Sequence, residues 1–346
     1  MQRHLVHDVA VCGAGPAGAA VACELARRGA RVVLFEATRY DGPRFGETLA
    51  PQANPLLRQL GVWDAFFAQQ HLPSPGTISL WGSATPVEND FITTGYGEGW
   101  HVDRNRFDAM LAQRAADAGA EVRMSLRIER CRRDADGSWL LEIAGDVHGR
   151  ARLLVDASGR NGMRLEADDG RDVYDRLVAI FRRYSYARRA PDLRTIVESA
   201  PNGWWYYAPL PGGDALAAFV CDAEHYREGL SLDDELLGDG IVAQRLAGGE
   251  PSSRHVVAVS SSRRRRLTGD GWAAAGDAAV SFDPLSGYGL TNALSSALAL
   301  AEAVAGDSLA AYAAALERRF SAYLEQRAEF YALERRWRER PFWARR

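Results

Sequence analysis

Three glycines and one acidic residue near the N-terminus have the spacing of a site for phosphate and ribose. The glycines follow a short apolar segment, and the acid stands 18 residues after the third glycine. Glycine permits a tight turn and lets a pyrophosphate approach backbone N–H groups, while a carboxylate at this spacing binds ribose hydroxyls and disfavours the 2′-phosphate of NADP. The predicted dinucleotide contacts are Gly13, Gly15, Pro16, Ala17, Gly18 and Glu36.

A second glycine-rich stretch begins about 260 residues further along the chain, at Gly276. Residues 284–289 contain too much glycine and proline for a helix, and an apolar, alanine-rich helix is predicted to start at Leu290. Such a turn presents bare N–H groups and the positive end of a helix dipole. Alone it is a loop that starts a helix, but beside the N-terminal glycines it predicts the other half of one cofactor site. Its predicted contacts are Gly276, Asp277, Pro284, Gly287, Gly289 and Leu290.

These residues need strands and helices to position them. Residues 5–11 and 31–35 have the apolar character of buried strands, and residues 16–28 between them predict a helix. Strand, glycine turn, helix, strand and acid follow one another in the order of a Rossmann unit. The sequence therefore predicts an α/β fold.

The second half of the chain changes character. Residues 174–186, 194–198, 203–210 and 215–220 are rich in aromatic and β-branched residues, which favours an antiparallel sheet. Four consecutive aromatic residues alternate between the two faces of one strand, so two should face a cleft and two should point away. They either wall a pocket for a flat aromatic substrate or pack the sheet. These residues are Trp204, Trp205, Tyr206 and Tyr207.

Four other segments carry structural predictions. Residues 85–99 are expected to form an irregular loop, and residues 230–246 a helix. The four consecutive arginines at 263–266 predict a solvated strand end, or contact with an acidic partner. A last helix is expected from residue 309 to about 338, with Pro341 ending it.

The composition excludes several chemistries. All 42 basic residues are arginine, so no mechanism can use a lysine amine, and the net charge of -3 does not suggest nucleic-acid binding. The four cysteines and seven histidines lack metal-ligand spacing. No apolar run reaches the roughly 18 residues of a membrane span, and no signal peptide is visible, so a cytoplasmic protein is expected. The length of 346 residues predicts two joined subdomains.

With these motifs, the chain resembles the flavin-dependent monooxygenase and halogenase superfamily, whose fold is similar to that of p-hydroxybenzoate hydroxylase. Two features resemble the maturase flavoproteins that modify tryptophan in quinone-cofactor enzymes: Asn202 to Pro211, and the C-terminal Arg335-Arg336-Trp337 with Pro341 to Arg346. The superfamily motifs are the N-terminal glycines with Glu36, Gly46-Glu47-Thr48-Leu49-Ala50-Pro51, Val102-Asp103-Arg104 with Phe107-Asp108 and Leu111, and Gly276-Asp277 with Phe282 to Gly287.

The resemblance implies bound FAD and a Rossmann-type FAD-binding domain, with an inserted antiparallel-sheet substrate domain and C-terminal helices. The FAD-binding domain would comprise residues 1–75, 100–165 and 265–310, the substrate domain residues 76–99 and 166–264, and the helical segment residues 311–346. By position in the motifs, further cofactor contacts are expected at Arg44, Gly46, Glu47, Thr48, Arg104, Asp156 and Gly159. For Asp156 and Gly159 the alternative is a plain turn in which Asp156 is only a cap.

The same resemblance implies a reaction. Reduced FAD would bind dioxygen at its C4a position, and the hydroperoxide would hydroxylate an electron-rich ring such as indole, free or within a peptide or client protein. The backbone around Pro284 would stabilise charge on the flavin, while Glu47 and Asp283 would handle protons or act only as structural carboxylates. The reductant would be NAD(P)H or a partner flavin reductase.

Three alternatives share these motifs. A halogenase is disfavoured because the chain has neither a lysine for the family's catalytic amine nor a Trp-x-Trp-x-Ile-Pro segment. A reductase of isoprenoid double bonds would need a long apolar tunnel. A non-catalytic flavoprotein would bind and deliver a client, and its reduced flavin would not couple oxygen consumption to a substrate.

Overall fold

The computed structural model describes residues 6–165, 170–186, 192–236, 238 and 240–346. An eight-stranded sheet with a parallel centre lies under the N-terminal glycines. Its central strand is apolar throughout its middle, from Val9 to Val11, because helices and strands cover both faces. The order is Thr268–Gly269, Trp272–Ala274, Asp146–Asp156, His7–Cys12, Val32–Phe35 and Glu121–Arg123, with Trp139–Ile143 and Arg130–Arg133 added beside Asp146–Asp156.

Three long helices pack against one another beside this sheet. Helix Pro16–Arg27 contacts both Arg104–Asp117 and Gly289–Ala305, and its residues from Pro16 to Ala26 are buried. The small side chains of these helices allow the close packing on which the glycine turn depends. Helix Leu309–Ala332 then packs on Gly289–Ala305 and reaches the second sheet.

The second large sheet is mostly antiparallel and also has eight strands. Its order is Glu250–Pro251, Leu177–Ser185, Ala215–Asp222, Gly203–Pro209, Thr195–Ala200, Gly76–Leu80 and Val87–Asp90, with His255–Ala258 also paired to Leu177–Ser185. The pairing of Thr195–Ala200 with Gly76–Leu80 is parallel. One face of this sheet looks toward the first sheet, and the other packs under short helices.

Smaller elements complete the fold. Two three-stranded sheets comprise Thr48–Leu49, Gly99–His101 and Leu72–Ser74, and Arg171–Val173, Ser262–Arg264 and Val280–Ser281. The remaining α-helices are Ala53–Gln59, Trp63–Ala68, Ala223–Arg227, Leu232–Glu235, Ile241–Leu246 and Pro341–Ala344, and 3-10 turns occur at Phe91–Thr94, Gly276–Ala278 and Pro284–Ser286.

The predicted α/β class, with a Rossmann-type unit and an antiparallel sheet, is confirmed. Four local predictions were wrong. Residues 85–99 contain a strand, Val87–Asp90, because they pair with the strand before them, and 230–246 form two short helices separated around Gly238. Among the four arginines, Arg264 is buried because it stacks on Trp272 and pairs with an internal carboxylate. Pro341 begins a helix, since proline suits a first helical turn.

Candidate functional site

A single cavity of about 670 Å³ joins the N-terminal glycine turn to the antiparallel sheet. Its volume lies within the range of about 300–1,000 Å³ that is usual for ligand sites. Most residues predicted from the sequence line it. They are Gly13, Gly15, Pro16, Ala17, Glu36, Arg44, Gly46, Glu47, Thr48, Arg104, Gly159, Trp204, Tyr206, Asp277, Asp283, Pro284, Gly287, Gly289 and Leu290.

The N-terminal glycines have distinct structural tasks. Gly13 has φ +100°, and a Cβ there would lie 2.4 Å from the carbonyl oxygen of Ala157. A Cβ on Gly18 would lie 1.8 Å from the Gly13 carbonyl oxygen, so Gly18 permits packing and does not line the cavity. At Gly15 a Cβ would meet nothing within 4 Å, because the position opens into the cavity. The turn therefore combines a tightly packed base with free space for a phosphate.

Glu36 lies at the end of its strand and is held on both carboxylate oxygens. The Ala14 N–H donates to Oε2 over 3.0 Å, and the Thr38 hydroxyl donates to Oε1 over 2.7 Å. Arg44 also donates to Oε1, over 2.9 Å. These bonds fix a buried carboxylate beside the glycine turn, where the ribose of an adenine nucleotide would lie.

Arg44 and Arg104 share one buried carboxylate, Asp108, which belongs to a superfamily motif but had no role predicted from the sequence. Arg44 donates to its Oδ2 over 2.8 Å, and Arg104 donates to both of its oxygens over 3.0 and 3.1 Å. Arg104 also donates to the carbonyl oxygens of Phe45 and Gly46. The arginine pair thus clamps the segment that carries Gly46 to the helix that carries Asp108. The sequence signal was the four-residue spacing of Arg104 and Asp108, which places both on one helix face.

The other end of the cavity is formed by the second glycine-rich stretch. Helix Gly289–Ala305 begins at the cavity without a side-chain cap, so its first N–H groups and positive dipole end remain available to a ligand. A Cβ on Gly287 or Gly289 would meet nothing within 4 Å. Asp277 lies at the cavity wall, where Arg160 approaches its carboxylate at 3.3 Å.

Glu47 is the titratable group set between the glycine-lined wall and the sheet. It is 6% exposed, and burial raises its pKa from an ordinary 4.5 to about 7, although Arg104 partly opposes the rise. The Gly46 N–H donates to its Oε2 over 3.0 Å. The pKa of Tyr206 is raised mainly by burial and also by the negative charge of Glu47. A carboxyl group with a pKa near neutrality can both accept and release a proton at physiological pH.

Tyr206 leads into a buried polar chain that the sequence did not reveal. Its hydroxyl shares a hydrogen bond with the Thr48 hydroxyl, which lies 3.5 Å from Nδ1 of His101. Nε2 of His101 lies 2.8 Å from the carbonyl oxygen of Leu193 and must donate to it. Burial lowers the His101 pKa to about 4, so the ring is neutral and its Nδ1 accepts from Thr48. Thr48 then accepts from Tyr206, which orients the phenol.

Asp283 belongs to a second buried network, at the start of the turn that carries Pro284. Arg327 and Tyr331 donate to its Oδ2 over 3.0 and 2.8 Å, and the Leu285 N–H donates to Oδ1 over 2.9 Å. Asp283 is fully buried. These bonds occupy both oxygens, so the geometry favours the structural role for Asp283. Arg327 and Tyr331 come from the C-terminal helix, and no short-range sequence pattern linked them to this turn.

The remaining predicted residues lie behind the cavity wall. Asp156 is fully buried, accepts from Arg264 over 2.7 Å and holds the N–H of Met163. Gly276 has φ +59°, and a Cβ there would lie 2.7 Å from Cβ of Ala17. Asp156 thus fixes the turn after its strand, and Gly276 permits close packing on the first helix. Neither residue lines the cavity.

Two of the four aromatic residues line the cavity and two do not, as strand alternation predicted, so only Trp204 and Tyr206 of the four proposed pocket residues face it. Trp205 and Tyr207 lie on the opposite face of the sheet, where Trp205 packs against Phe219 at 5.0 Å between ring centroids. Strand pleating forces this alternation. Trp204 and Tyr206 line the cavity beside apolar residues of neighbouring strands, namely Ala179, Phe181, Ala218, Val220, Val257 and Val259.

The features that line this cavity fit FAD. The turn at Gly15 suits the pyrophosphate, because no side chain caps the helix that follows it, and Glu36 suits the adenosine ribose. The uncapped N-terminus of the helix at Gly289 suits the electron-rich edge of a flavin ring. Within the described ranges, no group of three or more histidine, cysteine or acidic side chains is arranged to hold a metal ion. No helix in the part of the chain that the structure describes is long and apolar enough to cross a membrane.

Comparisons with known proteins agree with this geometry. The family described as FAD binding domain matches residues 6–225. A relative from Marinomonas mediterranea, LodB, which is named as an FAD-dependent oxidoreductase, is 28% identical over 98% of this chain and 96% of its own.

Two solved structures resemble the whole chain. The myxobacterial chondrochloren halogenase CndH aligns with a TM-score of 0.86 and 25% identity, covering 98% of this chain and 85% of its own. The peptidyl tryptophan dihydroxylase QhpG aligns with a TM-score of 0.74 and 26% identity, covering 99% of this chain and 78% of its own. The chain therefore belongs to the FAD binding domain family and is an FAD-dependent oxidoreductase of the monooxygenase and halogenase superfamily.

Proposed function

We propose that this protein is an FAD-dependent monooxygenase that hydroxylates a tryptophan side chain in a polypeptide. The observation that carries the proposal is the position of Glu47, whose pKa is about 7, in one cavity with the glycine turn and the aromatic sheet wall. The similarity to QhpG, a peptidyl tryptophan dihydroxylase, supports the choice of substrate.

FAD would supply the redox chemistry, namely the activation of dioxygen after reduction. The residues of this chain would bind and orient it. Backbone N–H groups at Gly15 would hold the pyrophosphate, Glu36 the adenosine ribose, and Asp277 the ribityl hydroxyls. The start of helix Gly289–Ala305 would stabilise negative charge on the ring edge beside Pro284.

The sheet would position the substrate. Trp204 and Tyr206 offer flat aromatic surfaces, and the alanine and valine side chains beside them exclude water from an indole ring. Because Tyr206 donates its O–H to Thr48, the lone pairs of the phenol oxygen are free to accept from an indole N–H. These contacts would fix which edge of the ring faces the cofactor.

Glu47 would move the proton. Hydroxylation of an indole carbon replaces a C–H bond by a C–OH bond, and the ring must lose that proton to regain aromaticity. Glu47 in its carboxylate form can accept it and can release it again because its pKa lies near neutrality. The overall balance is substrate, dioxygen, NAD(P)H and a proton converted into hydroxylated substrate, water and NAD(P)⁺. Either direct NAD(P)H or a partner flavin reductase would supply the electrons.

A second candidate is reduction of an isoprenoid double bond. The apolar residues of the sheet wall would also accept a hydrocarbon chain. This reaction would consume reductant but not dioxygen. Halogenation is the reaction of several relatives, such as CndH, but the present chain contains no lysine.

The decisive experiment supplies the FAD-loaded protein with NADH, a flavin reductase and isotopically labelled dioxygen. A tripeptide with a central tryptophan is offered with and without a halide salt, and geranylgeraniol is offered in a separate reaction. We expect labelled oxygen in the tryptophan residue by mass spectrometry and no halogenated product. Reduction of the isoprenoid, or halogenated peptide without labelled oxygen, would overturn the proposal.

A further inference from the structure

Strand Val87–Asp90, here called the edge strand, lies at the end of the antiparallel sheet. It pairs with Gly76–Leu80 on one side, and no further strand among the described residues pairs with its other side. All four of its residues are exposed. Open edges of this kind can accept a strand from another chain, and proteins usually blunt them with proline or charged side chains. The edge strand contains no proline and no arginine, but it carries two acids, Glu88 and Asp90, which disfavour an acidic partner strand and favour a basic one.

The backbone of the edge strand offers hydrogen-bonding groups to solvent. The Phe91 N–H donates to the Pro75 carbonyl oxygen over 2.8 Å, so residues 91, 89 and 87 direct their N–H groups inward. Because the pattern alternates in an antiparallel pair, Glu88 and Asp90 direct theirs outward. The Asp90 carbonyl oxygen is already bonded to the Thr93 hydroxyl at 2.9 Å. The Asp90 N–H and both backbone groups of Glu88 are therefore available to an added strand.

The side chains around this edge define the chemistry of a partner. Val87 is 60% exposed and Ile92 is 86% exposed, which leaves apolar surface on either end of the strand. Residues 83–98 contain three acids and no arginine. Glu88 is paired with Arg194 at 2.6 Å, but in the described part of the chain Asp90 and Glu98 have no ion-pair partner. A partner strand should therefore carry basic and apolar residues.

The edge strand also shares a sheet face with the cavity. Val87 pairs with Ser79, Ser79 pairs with Val197, and Val197 pairs with Tyr206. Paired residues point to the same face, so this row runs from the sheet edge to the aromatic wall. A chain bound at the edge strand can thus turn across that face toward Tyr206.

We propose that the edge strand is the docking site for an extended, basic segment of the polypeptide whose tryptophan enters the cavity. A second copy of this chain is a poor occupant, because antiparallel pairing of two edge strands through their outward groups would place Asp90 of one copy opposite Glu88 of the other. The inference rests on the proposed function for the identity of the client. The edge strand would recognise the docked segment through backbone hydrogen bonds and charge, as in other cases of strand addition.

The sheet geometry sets the spacing between docking segment and target. Four strand spacings separate an added strand from Tyr206, which is roughly 19 Å at about 4.8 Å each. At about 3.3 Å per extended residue, roughly six residues must separate the docked segment from the tryptophan. A client with a much shorter separation cannot occupy both sites.

The test uses the FAD-loaded, full-length protein and a labelled synthetic peptide. In this peptide two arginines alternate with two valines, six glycine or serine residues follow, and one tryptophan comes last. A control peptide has glutamate in place of both arginines. By fluorescence anisotropy we expect the basic peptide to bind at least about tenfold more tightly, since like charges at an interface are strongly disfavoured.

Two substitutions of Asp90 separate the contribution of its charge to peptide binding from the contribution of its backbone N–H. Asp90→Asn keeps the outward N–H and should weaken binding of the basic peptide about fivefold, as for an exposed charge pair. Asp90→Pro also removes the N–H, and should weaken binding about fivefold further, as for one hydrogen bond. The backbone of Asp90, with φ -81° and ψ 129°, suits proline, so the fold should persist. The flavin absorbance spectrum of each variant checks this.

Different measurements test the docking site and the proposed function. Equal affinity for the two peptides, equal affinity of Asp90→Pro and wild type, or a wild-type dimer that Asp90→Pro dissociates in sedimentation would each overturn the docking site. Oxidation of a tripeptide too short to reach the edge strand tests the function alone. We expect that oxidation to be the same in Asp90→Pro and wild type. Its absence from both would reject the proposed function and leave the affinity result intact.

Discussion

The indole N–H of Trp204 donates to the hydroxyl oxygen of Tyr331 over 3.1 Å, and the Tyr331 hydroxyl donates to Asp283 over 2.8 Å. Trp204 lies in the cavity wall, and Asp283 begins the turn that leads to Pro284. One residue of the C-terminal helix therefore joins the substrate side of the cavity to its cofactor side. All three residues are buried.

Tyr331→Phe should destabilise both the substrate side and the cofactor side of the cavity. The substitution leaves the Trp204 N–H without its acceptor and removes a donor from Asp283, at a cost of about 1–3 kcal/mol per buried group. We expect a lower free energy of unfolding by urea denaturation and weaker FAD binding by fluorescence titration. Tyr312→Phe is the control, because Tyr312 is equally buried but donates only to the Ala274 carbonyl oxygen. Equal loss of FAD affinity in both variants would contradict this linkage.

Trp204→Phe and Trp205→Phe should separate substrate binding from stability. Both indoles are buried, and each donates one hydrogen bond, Trp204 to Tyr331 over 3.1 Å and Trp205 to the Glu235 carbonyl oxygen over 3.0 Å. We expect their free energies of unfolding to fall by similar amounts, about 1–3 kcal/mol. Only Trp204→Phe should raise KM for a tryptophan peptide, since only Trp204 lines the cavity. Similar KM values for both variants would remove Trp204 from the substrate site.

Gly15→Ala should weaken FAD binding without lowering stability, whereas Gly13→Ala should lower stability. A methyl group at Gly15 meets open space in the cavity, so the protein should keep its stability but bind FAD at least about tenfold more weakly, because the methyl takes the place of a phosphate. Gly13→Ala forces a side chain into φ +100° and against Ala157, and should lower stability by several kcal/mol, as expected for overpacking and backbone strain. Thermal unfolding without added FAD and FAD titration distinguish the two effects. Tight FAD binding by Gly15→Ala would place the pyrophosphate elsewhere.

Glu47→Gln should remove a pH dependence from stability. Burial raises the Glu47 pKa to about 7, from an ordinary value of 4.5, so the folded state holds this proton more tightly than the unfolded state does. The stabilisation by Glu47 is therefore complete below about pH 4.5 and is lost as pH rises to about 7, for a total of about 3 kcal/mol. Relative to Glu47→Gln, wild type should lose about that free energy of unfolding between these values and change little above them.

For Glu334→Gln, the difference from wild type in the free energy of unfolding should change with pH in the opposite direction. Burial acts to raise the pKa of Glu334, but hydrogen bonds from Arg336 and Ser199 outweigh it and the pKa is lowered. Wild type should therefore gain stability over Glu334→Gln as pH rises through the acidic range. Urea denaturation of all three proteins at several pH values provides the measurement. A flat difference for Glu47→Gln would show that its carboxyl group is not perturbed.

The sequence by itself determined the fold class and most of the cavity lining. Local rules account for this, because the tight turn at Gly13, the open position at Gly15 and the acid at the strand end each depend on residues close in the chain. Strand alternation likewise predicted that two of the four aromatic residues would face the cleft, although only the structure showed that these are Trp204 and Tyr206.

Only the tertiary structure decided which polar groups meet across long stretches of chain. The contacts of Tyr331 with Trp204 and Asp283, and of Thr48 with Tyr206 and His101, join segments 48 to 158 residues apart. No periodicity encodes such contacts, because they depend on how the sheets and helices pack. The raised pKa of Glu47 has the same origin, since burial by distant residues removes its solvation.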